Sequence, residues 1–192
     1  MPDLVLASTS AYRRSLLARL GVAFRAVAPP VDEESLKDPT LSPHRLAATL
    51  ARAKAESLAG TYPGSVIVGG DQVVAFGGRV FGKPGDPERA VDQLALMAGR
   101  VHELITAIAV VHPGGLVEHA DVTTLTMRPL TRSALARYVA ADRPVDCAGG
   151  YKLEERGIAL FERIESDDHT AVTGLPLIAL TSILLGLGFE IP

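Results

Sequence analysis

A chain of 192 residues, 47% hydrophobic and 5% aromatic with no Trp, is long enough to bury a substantial core as one domain or a compact pair of lobes. Its formal net charge of -3 excludes broad nucleic-acid binding, which needs a concentrated excess of Lys and Arg, so any phosphate site must be local. The single cysteine, Cys147, excludes an internal disulfide, no Cys/His cluster has zinc spacing, and no run reaches the roughly 18 apolar residues of a membrane span; a soluble cytoplasmic protein without a membrane partner is expected.

Leu4 to Ala7 reads as a buried strand, followed by an amphipathic helix over about Ala11 to Leu20 with Leu16, Leu17 and Leu20 inward and Gly21 behind it. A short strand is expected near Phe24 to Val27. Pro29-Pro30-Val31-Asp32-Glu33-Glu34 breaks regular structure, and Ser42-Pro43 starts a long helix to about Ala59, with a capping Ser and Pro at its first position. Ser65 to Phe76 is a β-rich run that Gly77-Gly78 turns back toward Arg79-Val80-Phe81. Asp86-Pro87 caps a helix to about Met97, and strands over about Val101 to His112 and Leu116 to Arg128 should form an extended antiparallel ribbon. A helix over about Arg132 to Ala141, a short strand near Ile158 to Phe161 and a last helix over about Pro176 to Leu187 follow. Long hairpins mixed with helices predict an α/β fold with a sheet of mixed direction rather than a purely parallel one.

Two places in this pattern invite chemistry. At the first strand-to-helix junction, Ser8-Thr9-Ser10 precedes the adjacent pair Arg13-Arg14. Short hydroxyl residues let an anion approach the N-H groups of a helix N-terminus, and guanidinium groups supply paired donors, a combination suited to a triphosphate. Ordinary N-caps and a solvated first turn are the structural alternative. The second place is Asp71, inside the apolar run Val66-Ile67-Val68-Gly69-Gly70-Asp71-Gln72-Val73-Val74. A carboxylate buried there needs a partner, whether a metal ion, a lysine or a water to deprotonate, and Gly69 and Gly70 allow close backbone approach.

Glu33, in the polar break, would complete with Asp71 the oxygen set Mg²⁺ prefers, although an exposed acidic loop is the simpler reading of that segment alone. Lys83 is held between Gly82 and Pro84, whereas Lys54 on its helix reads by itself as a solvated residue. His102, His112 and His119 read as strand or surface residues and Cys147 as a small packed one. Gly69-Gly70-Asp71 is neither a Walker loop nor a dinucleotide fingerprint.

Leu6-Ala7-Ser8-Thr9-Ser10 with Tyr12-Arg13-Arg14, then Val31-Asp32-Glu33, Ala53-Lys54-Ala55, Gly70-Asp71-Gln72-Val73, Gly82-Lys83-Pro84, Cys147-Ala148-Gly149 and Gly174-Leu175-Pro176-Leu177 resemble, in order and across nearly the whole chain, the Maf family of nucleoside triphosphate pyrophosphatases. The resemblance implies one domain over residues 1–192, α/β and two-lobed, with a mixed, strongly twisted sheet and a deep nucleotide cleft, related to the inosine triphosphate pyrophosphatase fold. It implies metal-assisted attack of water on the α-β phosphoanhydride, giving a monophosphate and pyrophosphate with Mg²⁺ or Mn²⁺. Asp71 would then activate water or, with Glu33, hold the metal, and one carboxylate does not serve both roles well. Ser8, Arg13, Arg14, Lys54 and Lys83 would contact phosphate or the transition state.

Within the family, the group acting on 7-methyl-GTP carries an aromatic residue before the arginine pair, Gln after the aspartate and a later Glu, matched here by Tyr12, Gln72 and Glu154. A cationic methylated guanine stacks well on an aromatic face, and Glu154 could accept from the ring N-H and exocyclic amine of guanine. The chain departs from that group in having Tyr12 where Trp is commoner and Ala11 where Pro is commoner. The alternatives are a dTTP/UTP pyrophosphatase of the same family and a nucleotide-binding regulator of septum formation or cell division without turnover. Oligomeric state stays open, a homodimer included.

Overall fold

Seven strands and five α-helices are present among residues 2–191, the part of the chain that the computed structural model describes. In chain order these are β1 (Leu4–Ala7), α1 (Ala11–Ala18), β2 (Arg25–Val27), α2 (Pro43–Glu56), β3 (Val66–Phe76), β4 (Arg79–Phe81), α3 (Pro87–Met97), β5 (Val101–His112), β6 (Gly115–Met127), α4 (Arg132–Asp142), β7 (Phe161–Glu165) and α5 (Leu177–Gly186). The sheet runs β2-β1-β3-β5-β6-β7, with β4 on β3. Its direction is mixed, as expected: β1 is parallel to β2 and β3, while β3 with β4 and β6 with β7 are antiparallel. The chain divides into two units, Met1–Asp71 with Thr106–Asp121 and Asp168–Pro192, and Gln72–Ile105 with Val122–Asp167. No helix among the described residues is long and apolar enough to cross a membrane.

In the first unit all four residues of β1 are buried, as befits a parallel strand covered on both faces. Leu4 and Leu6, with Val66 and Val68 of β3, pack against Leu17 of α1 and Leu180 of α5. The alternate face of β3 meets α2, and Gly69 makes that approach possible. A Cβ there would stand 2.2 Å from the Ala51 carbonyl oxygen and 2.7 Å from the Ala55 nitrogen. Ser42 caps α2 by accepting from Arg45 N, and Pro43 occupies its first turn.

The second unit is centred on α3 and α4, which pack together, and on a ring cluster of His102, Tyr151 and Phe161 with centroids 5.0 to 5.8 Å apart. The expected strand near Ile158 is instead a 3-10 turn over Arg156–Leu160, and the strand begins only at Phe161. The cause is Gly157: a Cβ on it would lie 2.3 Å from the Lys152 carbonyl oxygen, so the chain is folded tightly back on itself there. Leu20, expected on the buried face of α1, is half-buried beyond the helix, which ends at Ala18.

Candidate active site

Side-chain alternation along β3 sends Gly69 and Asp71 toward one face and Gly70 toward the other. On the first face, α2 presents residues at helical spacing, Ala47, Ala51, Lys54 and Ala55, all buried. Because Gly69 lets α2 sit directly on the strand, Lys54 reaches Asp71, and its Nζ donates to Asp71 Oδ1 at 2.7 Å. Both residues are nearly sealed from solvent, Lys54 at 6% and Asp71 at 7% exposure. Lys54 is therefore not the solvated residue that its helix suggested in isolation. It also pairs with Glu33 Oε1 at 3.1 Å, so a single ammonium holds two carboxylates. Glu33 reaches inward from the expected break after Pro30, and its own side chain remains 46% exposed.

On the other face, the missing side chain of Gly70 leaves room for Arg13, whose Nε would stand 3.3 Å from a Cβ at that position. Arg13 Nε donates to the Gly174 carbonyl at 3.0 Å, which fixes the guanidinium against the loop before α5. Burial acts to lower the pKa of Arg13, and the charges of Asp71 and Glu33 act to raise it. Asp71 itself is raised above the usual carboxylate value, first by burial and also by Glu33, with Lys54 and Arg13 acting in the opposite sense. A carboxyl group tuned upward beside two fixed cations is a suitable proton acceptor for a water placed on a phosphate chain.

The remaining sequence candidates fall in different settings. Ser8 is buried at the end of β1, and its Oγ accepts from Ser10 N at 3.1 Å, while Ser10 is the N-cap of α1 and accepts from Arg13 N. The N-cap alternative thus holds for Ser10. Arg14 is exposed and Tyr12 half-buried. Gln72, half-buried, opens the second unit, which also holds the exposed Lys83 and the exposed Glu154. The charged cluster proper gathers Arg13, Glu33, Lys54 and Asp71 in the first unit.

Sequence reasoning missed the support of Arg13. Asp168, 4% exposed, accepts at Oδ1 from both the N-H and the hydroxyl of Thr170, at 2.9 and 2.6 Å. Its Oδ2 accepts from Ile178 N at 2.7 Å, and Thr170 Oγ1 accepts from Leu177 N at 2.9 Å. The two side chains satisfy the N-terminus of α5, where Pro176 at the cap position makes no side-chain hydrogen bond. They thereby hold the loop that offers the Gly174 carbonyl to Arg13. The available signal was the polar run Ser166-Asp167-Asp168-His169-Thr170 before a helix lacking its own capping side chain.

Among the described residues, no group of three or more His, Cys, Asp or Glu side chains gathers where it could hold a metal ion. Asp71 and Glu33, however, bring hard oxygen donors to the same ammonium, and one or two carboxylates completed by phosphate oxygens and water form the donor set Mg²⁺ takes in nucleotide enzymes. The residues present fit such an ion.

The Ham1 protein of Staphylococcus aureus shares the fold, with a TM-score of 0.55 at 14% identity over 96% of this chain and 99% of that one. A HAM1 protein from Coxiella burnetii matches with a TM-score of 0.51 at 16% identity over 97% of this chain and 100% of that one. Among curated sequences, the 7-methyl-GTP pyrophosphatase of Bdellovibrio bacteriovorus is 51% identical over 95% of both chains. The protein of the same name from Xanthomonas axonopodis pv. citri is 45% identical over 100% of both. The family profile described as Maf-like protein matches residues 3–187. With that match over nearly its whole length, and with relatives this similar, the chain belongs to the Maf family.

Proposed function

We propose that this protein is a pyrophosphatase that hydrolyses the α-β phosphoanhydride of 7-methyl-GTP. Water adds to phosphorus, the bridging P–O bond breaks, and the products are the nucleoside monophosphate and pyrophosphate. The observation that carries the reading is the buried Lys54–Asp71 pair with Glu33 on the same ammonium. Asp71, its pKa raised by burial, accepts the proton of the attacking water. Lys54 orients Asp71 and directs a further N-H toward a phosphate oxygen. Arg13, held through Nε, turns its terminal nitrogens to the phosphate chain, and Ser8, Arg14 and Lys83 add contacts along it. Mg²⁺ or Mn²⁺ would be held by Glu33 with phosphate oxygens and water, which leaves Asp71 as the base, and when bound supplies charge neutralisation and a more acidic water. For the base, Tyr12 stacks on the methylated ring, Glu154 accepts from the guanine edge, and Gln72 adds to the selectivity; the names of the relatives support this choice.

Pyrophosphate release from 7-methyl-GTP, GTP, dTTP and UTP in the presence of Mg²⁺ tests the reading. The expected result is the highest kcat/KM on 7-methyl-GTP. Much faster turnover of dTTP and UTP would overturn the substrate and keep the reaction. Binding without pyrophosphate release from any of them would leave a nucleotide-binding regulator in its place.

A further inference from the structure

In the second unit, one buried carboxylate has no part in the chemistry above. Asp142 ends α4 with its side chain fully buried. Its Oδ1 accepts from Arg156 Nη1 at 3.0 Å, and its Oδ2 has no hydrogen-bond partner among the described residues. Such a group is costly to keep unless it holds something in place. One helical turn earlier on the same face of α4, the buried Tyr138 accepts at its hydroxyl from Lys152 N at 2.9 Å.

Both side chains grip one short segment. Lys152 and Arg156 stand two residues before and two residues after Glu154, so α4 fastens the turn on either side of that exposed acid. The turn is closed internally as well, since Glu155 N donates to the Lys152 carbonyl at 3.2 Å. A Cβ on Gly157 would lie 2.3 Å from that same carbonyl oxygen and 2.8 Å from the Tyr138 hydroxyl, so the close return admits only glycine. Burial holds the Tyr138 hydroxyl above the ordinary phenol value, the hydrogen bond from Lys152 N acts in the opposite sense, and the charges of Asp142, Cys147 and Glu154 act with burial. An exposed glutamate on an unrestrained turn would lose entropy on meeting a ligand; a fastened turn removes much of that loss beforehand.

We propose that Tyr138 and Asp142 are specificity-positioning residues, holding the Lys152–Arg156 turn so that Glu154 presents its carboxylate to the ring N-H and exocyclic amine of a guanine base. The proposal rests on the base-recognition reading of Glu154 given above. Neither residue touches substrate; each acts through the backbone or side chain of the turn.

The test compares KM and kcat for 7-methyl-GTP with those for dTTP, followed as substrate or as competitive inhibitor, in Tyr138→Phe, Arg156→Gln, Arg156→Lys and Glu154→Gln. Tyr138→Phe should raise KM for 7-methyl-GTP by about three- to tenfold, the worth of one hydrogen bond, with kcat within about twofold and dTTP unaffected. Arg156 is 72% exposed, so Arg156→Gln keeps the test available should the tyrosine variant fold poorly. It should show the same split, and Arg156→Lys should restore part of it. Combining Tyr138→Phe with Glu154→Gln should add nothing to the effect of Glu154→Gln alone. A raised KM in Glu154→Gln with no change in either anchor variant would overturn the positioning role and leave the base reading standing. Equal losses on 7-methyl-GTP and dTTP would reduce the anchors to fold maintenance and overturn it too. No effect in Glu154→Gln would remove the base reading, and the proposal with it.

Discussion

In the first unit a lysine and an aspartate are buried as an ion pair, whereas in the second a histidine is buried among aromatic rings. Lys54 and Asp71 are sealed together, with Glu33 reaching the same ammonium, a charged solution that comes at the cost of desolvation. His102, 2% exposed, places Nε2 3.2 Å from the Tyr151 hydroxyl, and burial pushes its pKa down to about 4, so it stays neutral at pH 7. The contrast shows two ways of keeping a titratable group in the interior: a fixed counter-charge, or loss of the charge itself.

The largest effect expected from this contrast is on turnover. Asp71→Asn should lower kcat by about 10²- to 10⁴-fold with nucleotide binding largely intact, read as pyrophosphate release against equilibrium binding. Hydrolysis retained in that variant would remove Asp71 as the base. Lys54→Met leaves the Asp71 carboxylate buried without its main partner. It should cost about 3 to 5 kcal/mol in denaturant unfolding at pH 7, and less at pH values where Asp71 is protonated.

For His102 the effect is on the pH dependence of stability. Its folded-state pKa is depressed below the unfolded value of 6.5, so its contribution is complete above about pH 6.5 and is lost as pH falls toward about 4. By pH 5 the loss should reach about 2 kcal/mol, and His102→Phe should flatten that part of the stability profile. An unchanged profile would mean that His102 is not the neutral packing group described. The smallest effect expected is that of Asp168→Asn, about 1 kcal/mol of stability from a weakened cap on α5. Its accompanying fall in kcat should vanish when Arg13 is already replaced, because Asp168 acts through the loop that holds Arg13.

Much of this was legible in local patterns. The alternation and turn signals located every strand to within a few residues except β7, where the close return at Gly157 displaced the strand past Ile158. Asp71 was conspicuous because a carboxylate in an apolar run is an anomaly on its face, and the ordered motifs identified the family. Lys54 was not legible from its helix alone. A lysine at a helical position reads as solvated, and only the contact of Gly69 with Ala51 and Ala55 turns its side chain into the interior. Arg13 and Arg14 are adjacent in sequence and equivalent in chemistry, yet one is tied to the Gly174 carbonyl 161 residues away and the other faces solvent.

By itself, then, the sequence determined what depends on neighbours a few residues apart: the element types, the mixed direction of the sheet, the anomalous aspartate and the family pattern. The tertiary structure alone decided which cation is buried, which arginine is fixed, that Asp168 and Thr170 build the loop beneath Arg13, and that Tyr138 and Asp142 fasten the turn of Glu154. Hydrophobic period and capping preferences are local energies written in adjacent residues. The pairing of buried charges depends on where separate elements come into contact, and that is set by the packing of the whole chain around residues such as Gly69 and Gly157.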